Sequence, residues 1–387
     1  MQQHFDCAVI GTGGIGSAAL YEAARRGWSV IGIDRFAPAH DRGSSHGQTR
    51  IIRQAYFEHP DYVPLVLDSY TAWAAIEQES GESLLEQTGL LQVGHPGGPV
   101  IEGVLRSSRE HGLAVESLSV PQMESRFPGF RYPADSIGVY EPVAGFLRVE
   151  TCVRTLIRLA VRQGAHLAEP DPVQGWQTGD DGRHRLSTRS GRVLVADRLI
   201  VTAGPWAPGL LSDHVPELRI IAKHQHWFDC HQPRLAREAG CPVFFFETDE
   251  GYFYGFPDFD GRGNKLAEHS GGHPVSDPTT VDRNPDPGDL QRVSRFLTRH
   301  LLASHPRHSG HSVCMYTMSP DEHFIVDTID PSGTIAVACG MSGHGFKFAP
   351  VLGQALVDML DGRFRPDMEF LRLTRFAAGN RSADLTP

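Results

Sequence analysis

The chain has 387 residues, 40% apolar and 21% charged, which is enough for two domains or one large one with a sizeable core. Its 36 basic and 46 acidic side chains leave a formal charge of −10, which gives no footing to a nucleic-acid or anionic-membrane surface. No apolar run approaches the roughly 18 residues of a membrane span, and "MQQHFDCAVIGTGG" lacks a basic stretch followed by an apolar one, so a cytoplasmic protein is expected.

In chain order, "FDCAVI" (5–10) reads as a short buried strand that "GTGGIG" (11–16) breaks. "GSAALYEAARRG" is helical, with Arg25 and Arg26 at the negative end of the helix dipole and Gly27 as its stop. "SVIGID" (29–34) is a second strand, ending in Asp34. A Gly-x-Gly-x-x-Gly turn inside a strand–helix–strand unit, with an acid about twenty residues on, predicts a dinucleotide site. Gly11 permits the tight turn, Gly13 lets a pyrophosphate approach the backbone, and Gly16 lets helix and strand pack closely; Gly14 and Ile15 complete the predicted phosphate-binding turn. Asp34 is placed to accept hydrogen bonds from a ribose. These residues do not separate NAD from FAD.

"EQTGLLQVG" (86–94), "GVYEPVAGFL" (138–147) and "FFFETDEGYFYGFPDF" (244–259) are aromatic, alternating and strand-like, and predict a second, antiparallel domain. Between them, "RHRLSTRSGRVLVADRLIVTAG" (183–204) alternates like a hairpin turning at Ser190-Gly191. "HPVSDPTTVDRNPDPGD" (273–289) reads as an exposed connection. "GTIAVACG" (333–340) is another apolar strand, followed by the glycine turn "MSGHGFKF" and a helix over "PVLGQALVDMLDG" (350–362). The late strands return to the first unit. The expected fold is therefore α/β: a discontinuous Rossmann-type domain (1–85, 147–220 and 323–387) plus an α+β substrate domain (86–146 and 221–322).

Six cysteines contain no Cys-x-x-Cys pair and twenty histidines no His-Glu-x-x-His, so reduced thiols and no metal are expected. Only Lys223, Lys265 and Lys347 are lysines; the other 33 of the 36 cations are arginines. At Lys265 and Lys347 the physical reading is a site that needs a compact ammonium, which a guanidinium cannot copy.

With these residues in view, the chain resembles the monomeric sarcosine oxidase family, which includes N-methyltryptophan oxidase, within the D-amino-acid-oxidase type of flavoproteins. The N-terminal unit, "GSSHGQTRIIRQAY" (43–56), "YGFPDFDGRGNKLAEHSGG" (254–272), and "CMYTMSPDEHFIVDT" with "GMSGHGFKF" (314–348) carry the resemblance. It implies FAD joined through its 8α-methyl to the sulfur of Cys314, which by composition alone would read as a buried structural thiol. Arg50 would lie near the flavin and Arg53 would grip a substrate carboxylate; on a helix their spacing would place both on one face. Lys347 matches the second carboxylate-binding cation, and Lys265 the residue that promotes reaction of reduced flavin with oxygen. Tyr254, His269 and Tyr316 match pocket residues, His269 and Tyr316 with catalytic roles beside Lys265 and Arg50. Ser44, His46, Thr49, Gly343, His344, Gly345 and, again, Lys347 match cofactor contacts. The family usually has His and Asp where this chain has Ser45 and Gln48. The implied reaction is FAD-dependent oxidation of an N-methyl amino acid by O₂, giving H₂O₂, formaldehyde and the demethylated amino acid. Relatives that act on pipecolate or fructosyl amino acids share similar motifs, and family habit implies a monomer. An NAD-dependent dehydrogenase would use only the N-terminal unit and leave residues 314–348 without a purpose. Lys223 acquires no role.

Overall fold

A computed structural model describes residues 3–377. The ends of the expected first unit, residues 1–2 and 378–387, lie outside the described residues. The predicted unit forms as β1 (His4–Ile10), α1 (Gly14–Arg25) and β2 (Val30–Ile33), with β1 and β2 parallel and Cys7 opposite Val30. Arg26 caps α1, and Gly27 turns the chain at φ +81°. The next element is the strand β3 (Thr49–Ile52).

Farther on, β4 (Val193–Val201) lies parallel to β1 on the side away from β2 and closes the predicted hairpin with His184–Thr188. These strands belong to an eight-stranded sheet. A nine-stranded sheet contains three neighbours, β6 (Asn264–Glu268), β5 (Arg219–Asp229) and β7 (Arg307–Met318), with β6 and β7 both antiparallel to β5. The chain then returns to the first sheet through β8 (Ile335–Cys339), parallel to β4, and ends its regular structure with α2 (Ala349–Leu360) and short 3-10 turns.

Helix α1 packs on α2, where Leu20, Leu352 and Leu356 are fully buried. Each such leucine contributes about 1.5–3 kcal/mol before its entropy cost. Close approach needs a glycine here, because a Cβ on Gly353 would stand 2.6 Å from the Ala19 nitrogen.

The structure corrects the sequence expectations at two places. The second sheet is mixed: Val243–Thr248 runs parallel to Leu90–Gly94, all five of whose residues are buried, as a parallel strand covered on both faces requires. "EQTGLLQVG" and "GVYEPVAGFL" are each split between two sheets. Gly145–Arg148 pairs with β3 on one side and Leu85–Glu86 on the other in a separate three-stranded sheet, while Leu90–Gly94 and Ile137–Glu141 enter the large one. No helix among the described residues is long and apolar enough to cross a membrane.

Candidate active site

One elongated cavity runs from the end of β1 to the face of the nine-stranded sheet. At its first end lie Gly11, Gly13, Gly14, Ile15 and Asp34. Gly11 has φ +88°, and a Cβ there would stand 2.6 Å from the Thr202 carbonyl oxygen, so both conformation and space call for glycine. Gly16 lies outside the cavity lining; a Cβ on it would overlap the Gly11 carbonyl, which makes it the packing glycine of the turn. Asp34 accepts from the Thr12 backbone N–H at 2.7 Å and from Phe36 N–H at 3.1 Å. Burial alone would raise its pKa, but His40 and these N–H groups outweigh it and hold the carboxyl below its usual range.

The turn fits a dinucleotide by its own geometry. A Cβ on Gly13 would meet only Ser45 Oγ, at 3.5 Å, so the backbone is open to the cavity. The indole N–H of Trp206, on the cavity wall, is buried without a partner among the described residues. Ser45 Oγ accepts from the Gly14 N–H at 3.1 Å, so this departure from the family pattern falls at the phosphate turn. Gln48, the other departure, faces away from the cavity, donating to Asp260 and accepting from the Trp227 indole at 2.6 Å.

Along the middle of the cavity the helical face drawn for Arg50 and Arg53 is wrong. Thr49–Ile52 is a strand, with Arg50 opposite Leu147. Its β-branched residues favour the pleat, and the carboxylate of Glu150 accepts from the Gly47 and Gln48 N–H groups just before it, fixing two positive-φ residues. Arg50 lines the cavity and donates to the Thr49 and Ser44 carbonyls. Ser44 also lines it, with its hydroxyl donating to the Met315 carbonyl at 2.6 Å.

Four other expected residues do not line the cavity: His46, Thr49, Lys265 and Cys314. His46 is buried against Ser312. Lys265 is fully enclosed; its ammonium donates to the Gly47 carbonyl at 2.6 Å and to the Thr49 carbonyl and hydroxyl at 3.0 and 3.2 Å. Burial, with Arg50 nearby, holds its pKa far below the usual lysine value. Cys314, on β7, is buried, and its sulfur accepts from the Gln225 amide at 3.3 Å. Its neighbour Met315 is in the wall, and Tyr316, two residues on, reaches the cavity from the same cluster of β7 side chains as Cys314.

At the far end the structure brings together Arg53, Lys347, Tyr254, His269, Tyr316, Gly343, His344 and Gly345. The Arg53 guanidinium lies 4.4 Å from the Tyr56 ring centre and 4.5 Å from that of Phe57, and it donates to Glu58 at 2.6 Å. Although burial would raise it, Arg53 brings the Glu58 carboxyl down to about 2. The Nε–H of Arg53 has no partner among the described residues. The Lys347 ammonium donates to the His344 carbonyl at 2.8 Å and to the Tyr56 hydroxyl at 3.2 Å, and burial together with Arg53 holds its pKa well below the usual lysine value. The His269 imidazole is 3.3 Å from the Tyr316 hydroxyl, and burial, then the nearby Lys223 ammonium, lowers it to about 4. Burial lowers His344 to about 3 and raises Tyr254 to about 12.

Sequence gave no signal for Glu58 or for the supports behind the wall. Glu141 accepts from the Gln54 and Ala55 N–H groups and so fixes the chain just after Arg53. A buried counter-charge or carboxylate cap follows no spacing rule. The nearest hint is that Glu58 stands five residues beyond Arg53.

The FAD dependent oxidoreductase family matches residues 6–359. A monomeric sarcosine oxidase from Streptomyces avermitilis is 37% identical over 368 residues, covering 93% of this chain and 94% of that protein. An N-methyl-L-tryptophan oxidase from Yersinia pestis is 35% identical over 379 residues, covering 96% and 99%. Among solved structures, NikD, an unusual amino acid oxidase essential for nikkomycin biosynthesis, superposes with a TM-score of 0.84 over 96% of this chain and 98% of its own, at 23% identity, and so speaks for the fold.

Proposed function

We propose, because the chain belongs to the FAD dependent oxidoreductase family and its cavity joins a dinucleotide turn to a buried pair of cations, that it is an oxidase of N-methyl amino acids such as sarcosine or N-methyltryptophan. The observation that carries this reading is the far end of the cavity. Two basic side chains, Arg53 and Lys347, face one acid, Glu58, and a substrate carboxylate would balance the surplus. The unpartnered Arg53 Nε–H supplies a donor for it.

In this reading Arg53 and Lys347 hold the carboxylate, while Tyr254, His269 and Tyr316 shape the space around the amine. His269, uncharged above about pH 4, accepts or donates a hydrogen bond without repelling an ammonium. Gly11, Gly13, Gly14, Ile15 and Asp34 would hold the adenosine and pyrophosphate parts of FAD, and Ser44, Arg50, Gly343, His344 and Gly345 would border the ring. Bound FAD supplies the two-electron acceptor for the C–H bond beside the amine and delivers those electrons to O₂ as H₂O₂. Hydrolysis of the resulting imine gives formaldehyde and the demethylated amino acid. Orientation of the amine by the two cations supplies much of the acceleration. Cys314, a buried free thiol next to the cavity wall, is the proposed point of covalent attachment. Lys265, held by the Gly47 and Thr49 carbonyls behind that wall, would in its protonated form favour negative charge building up on oxygen.

A peroxide-coupled screen across N-methyl amino acids tests the reading. Turnover of sarcosine or a larger N-methyl amino acid is expected, and peroxide from none of them would remove it.

A further inference from the structure

Lys223 lies on β5, directly opposite Cys314 in the register with β7, and is 4% exposed. Its ammonium donates to three consecutive carbonyls: His269 at 2.7 Å, Ser270 at 2.7 Å and Gly271 at 2.5 Å. The same ammonium is 5.2 Å from the centre of the Tyr316 ring. The loop it grips leaves β6 at Glu268 and folds back over β5. Gly271 and Gly272 have φ of +63° and +102°, and a Cβ on Gly272 would stand 2.6 Å from Ile221 Cγ2. His269 and Tyr316 both line the cavity.

We propose that Lys223 is a positioning residue for the amine end of the substrate site: it pins the backbone carrying His269, stands under Tyr316, and keeps a positive charge beside the His269 ring. The proposal rests on the oxidase reading for what the site binds, but not for the clamp itself. Three carbonyls converging on one point suit the three protons of an ammonium and not the flat fork of a guanidinium. That accounts for a lysine in a chain with 33 arginines. The clamp also has an electrostatic consequence, because after burial Lys223 is the largest influence lowering the His269 pKa. Arg53 and Lys347 act in the same direction, Glu58 opposes them, and Tyr254 and Tyr316 complete the titratable groups around the ring. Around Lys223 itself stand Glu268, Cys314, Asp289 and Arg292.

The test uses holoenzyme with ¹³C-labelled histidine, the His269 signal being identified by its loss in His269→Asn. In Lys223→Met the His269 titration moves upward from about 4. Lys223→Gln, which keeps N–H donors for part of the loop and removes only the charge, does the same and serves if the Met variant does not fold. In Lys223→Arg the titration stays low, because the charge is kept. The KM for the best N-methyl amino acid rises in all three variants, with kcat changed less, since none restores the three-carbonyl grip. An unmoved His269 titration in Lys223→Gln, or an unchanged KM beside a moved titration, overturns the proposal. If wild-type enzyme oxidises no N-methyl amino acid, the oxidase reading fails and the clamp is judged on the titration alone.

Discussion

Arg53 meets two competing carboxylates in the proposed mechanism, its own Glu58 and the substrate's, and the contest has opposite consequences for two substitutions. Arg53→Met removes the fork and strands Glu58; losing about 1.5–3 kcal/mol of charged hydrogen bonding raises KM by about tenfold to a hundredfold. Glu58→Gln frees Arg53 and lowers KM. Steady-state kinetics on the two variants reads both signs, and a parallel change would sink the competition. Lys347 adds a pH dependence. Its pKa is depressed by burial and by Arg53, so it loses its proton at lower pH than an ordinary lysine. A bound carboxylate favours the protonated form. Apparent affinity is therefore full at pH below the Lys347 pKa and falls as pH rises through it, which 1/KM measured against pH will show. Lys265→Met should slow reoxidation by oxygen far more than anaerobic reduction by substrate; equal losses in the two half-reactions, followed by stopped-flow absorbance, would remove the assigned role. The resemblance pointed to Arg53, Lys347 and Lys265; the first two line the cavity and Lys265 lies behind its wall. Glu58 was illegible because its meaning comes from a partner folded onto it, not from a pattern.

At the scale of elements, the glycine turn, its flanking strands and the late hairpin were legible because glycine placement and alternation are local properties. The Arg50–Arg53 segment was misread for the complementary reason. A three-residue spacing suits a helix, but pairing with Gly145–Arg148, about a hundred residues away, makes Thr49–Ile52 a strand, and tertiary pairing overrides local spacing. The split of "EQTGLLQVG" between two sheets has the same origin. One turn permits a sharp prediction. Gly343 has φ +87°, and a Cβ on it would overlap the Tyr316 ring. Gly343→Ala therefore combines backbone strain of about 1–3 kcal/mol with displacement of Tyr316 from the cavity. A lower melting temperature together with a raised KM is expected; a lower melting temperature with wild-type KM would mean that Tyr316 does not need this support.

For the whole molecule, the cavity is walled by both large sheets: Ile10, Ile33 and Cys339 from one, Phe245, Tyr254 and Tyr316 from the other. We propose that the chain segments 1–85, 147–220 and 323–387 act as the cofactor unit and the remainder as the substrate unit, so that a bound dinucleotide ties the two together. A ligand that binds only the folded state adds stability that grows with its free concentration, about 2.7 kcal/mol at a hundred times its Kd. A covalently held ligand cannot behave so, because its local concentration is fixed by the bond. Whether FAD is attached at Cys314, as proposed, can thus be read from stability without any assay of turnover. Cys314→Ser, a near-isosteric change at a buried position, should leave the fold intact and make the melting temperature climb with added FAD. Wild-type holoenzyme should melt at a temperature indifferent to added FAD, and its yellow colour should stay on the polypeptide through trichloroacetic acid or SDS. If wild type releases its flavin in acid and its melting temperature follows free FAD as the serine variant's does, Cys314 is a structural thiol after all, held by Gln225 and opposite Lys223 for packing alone.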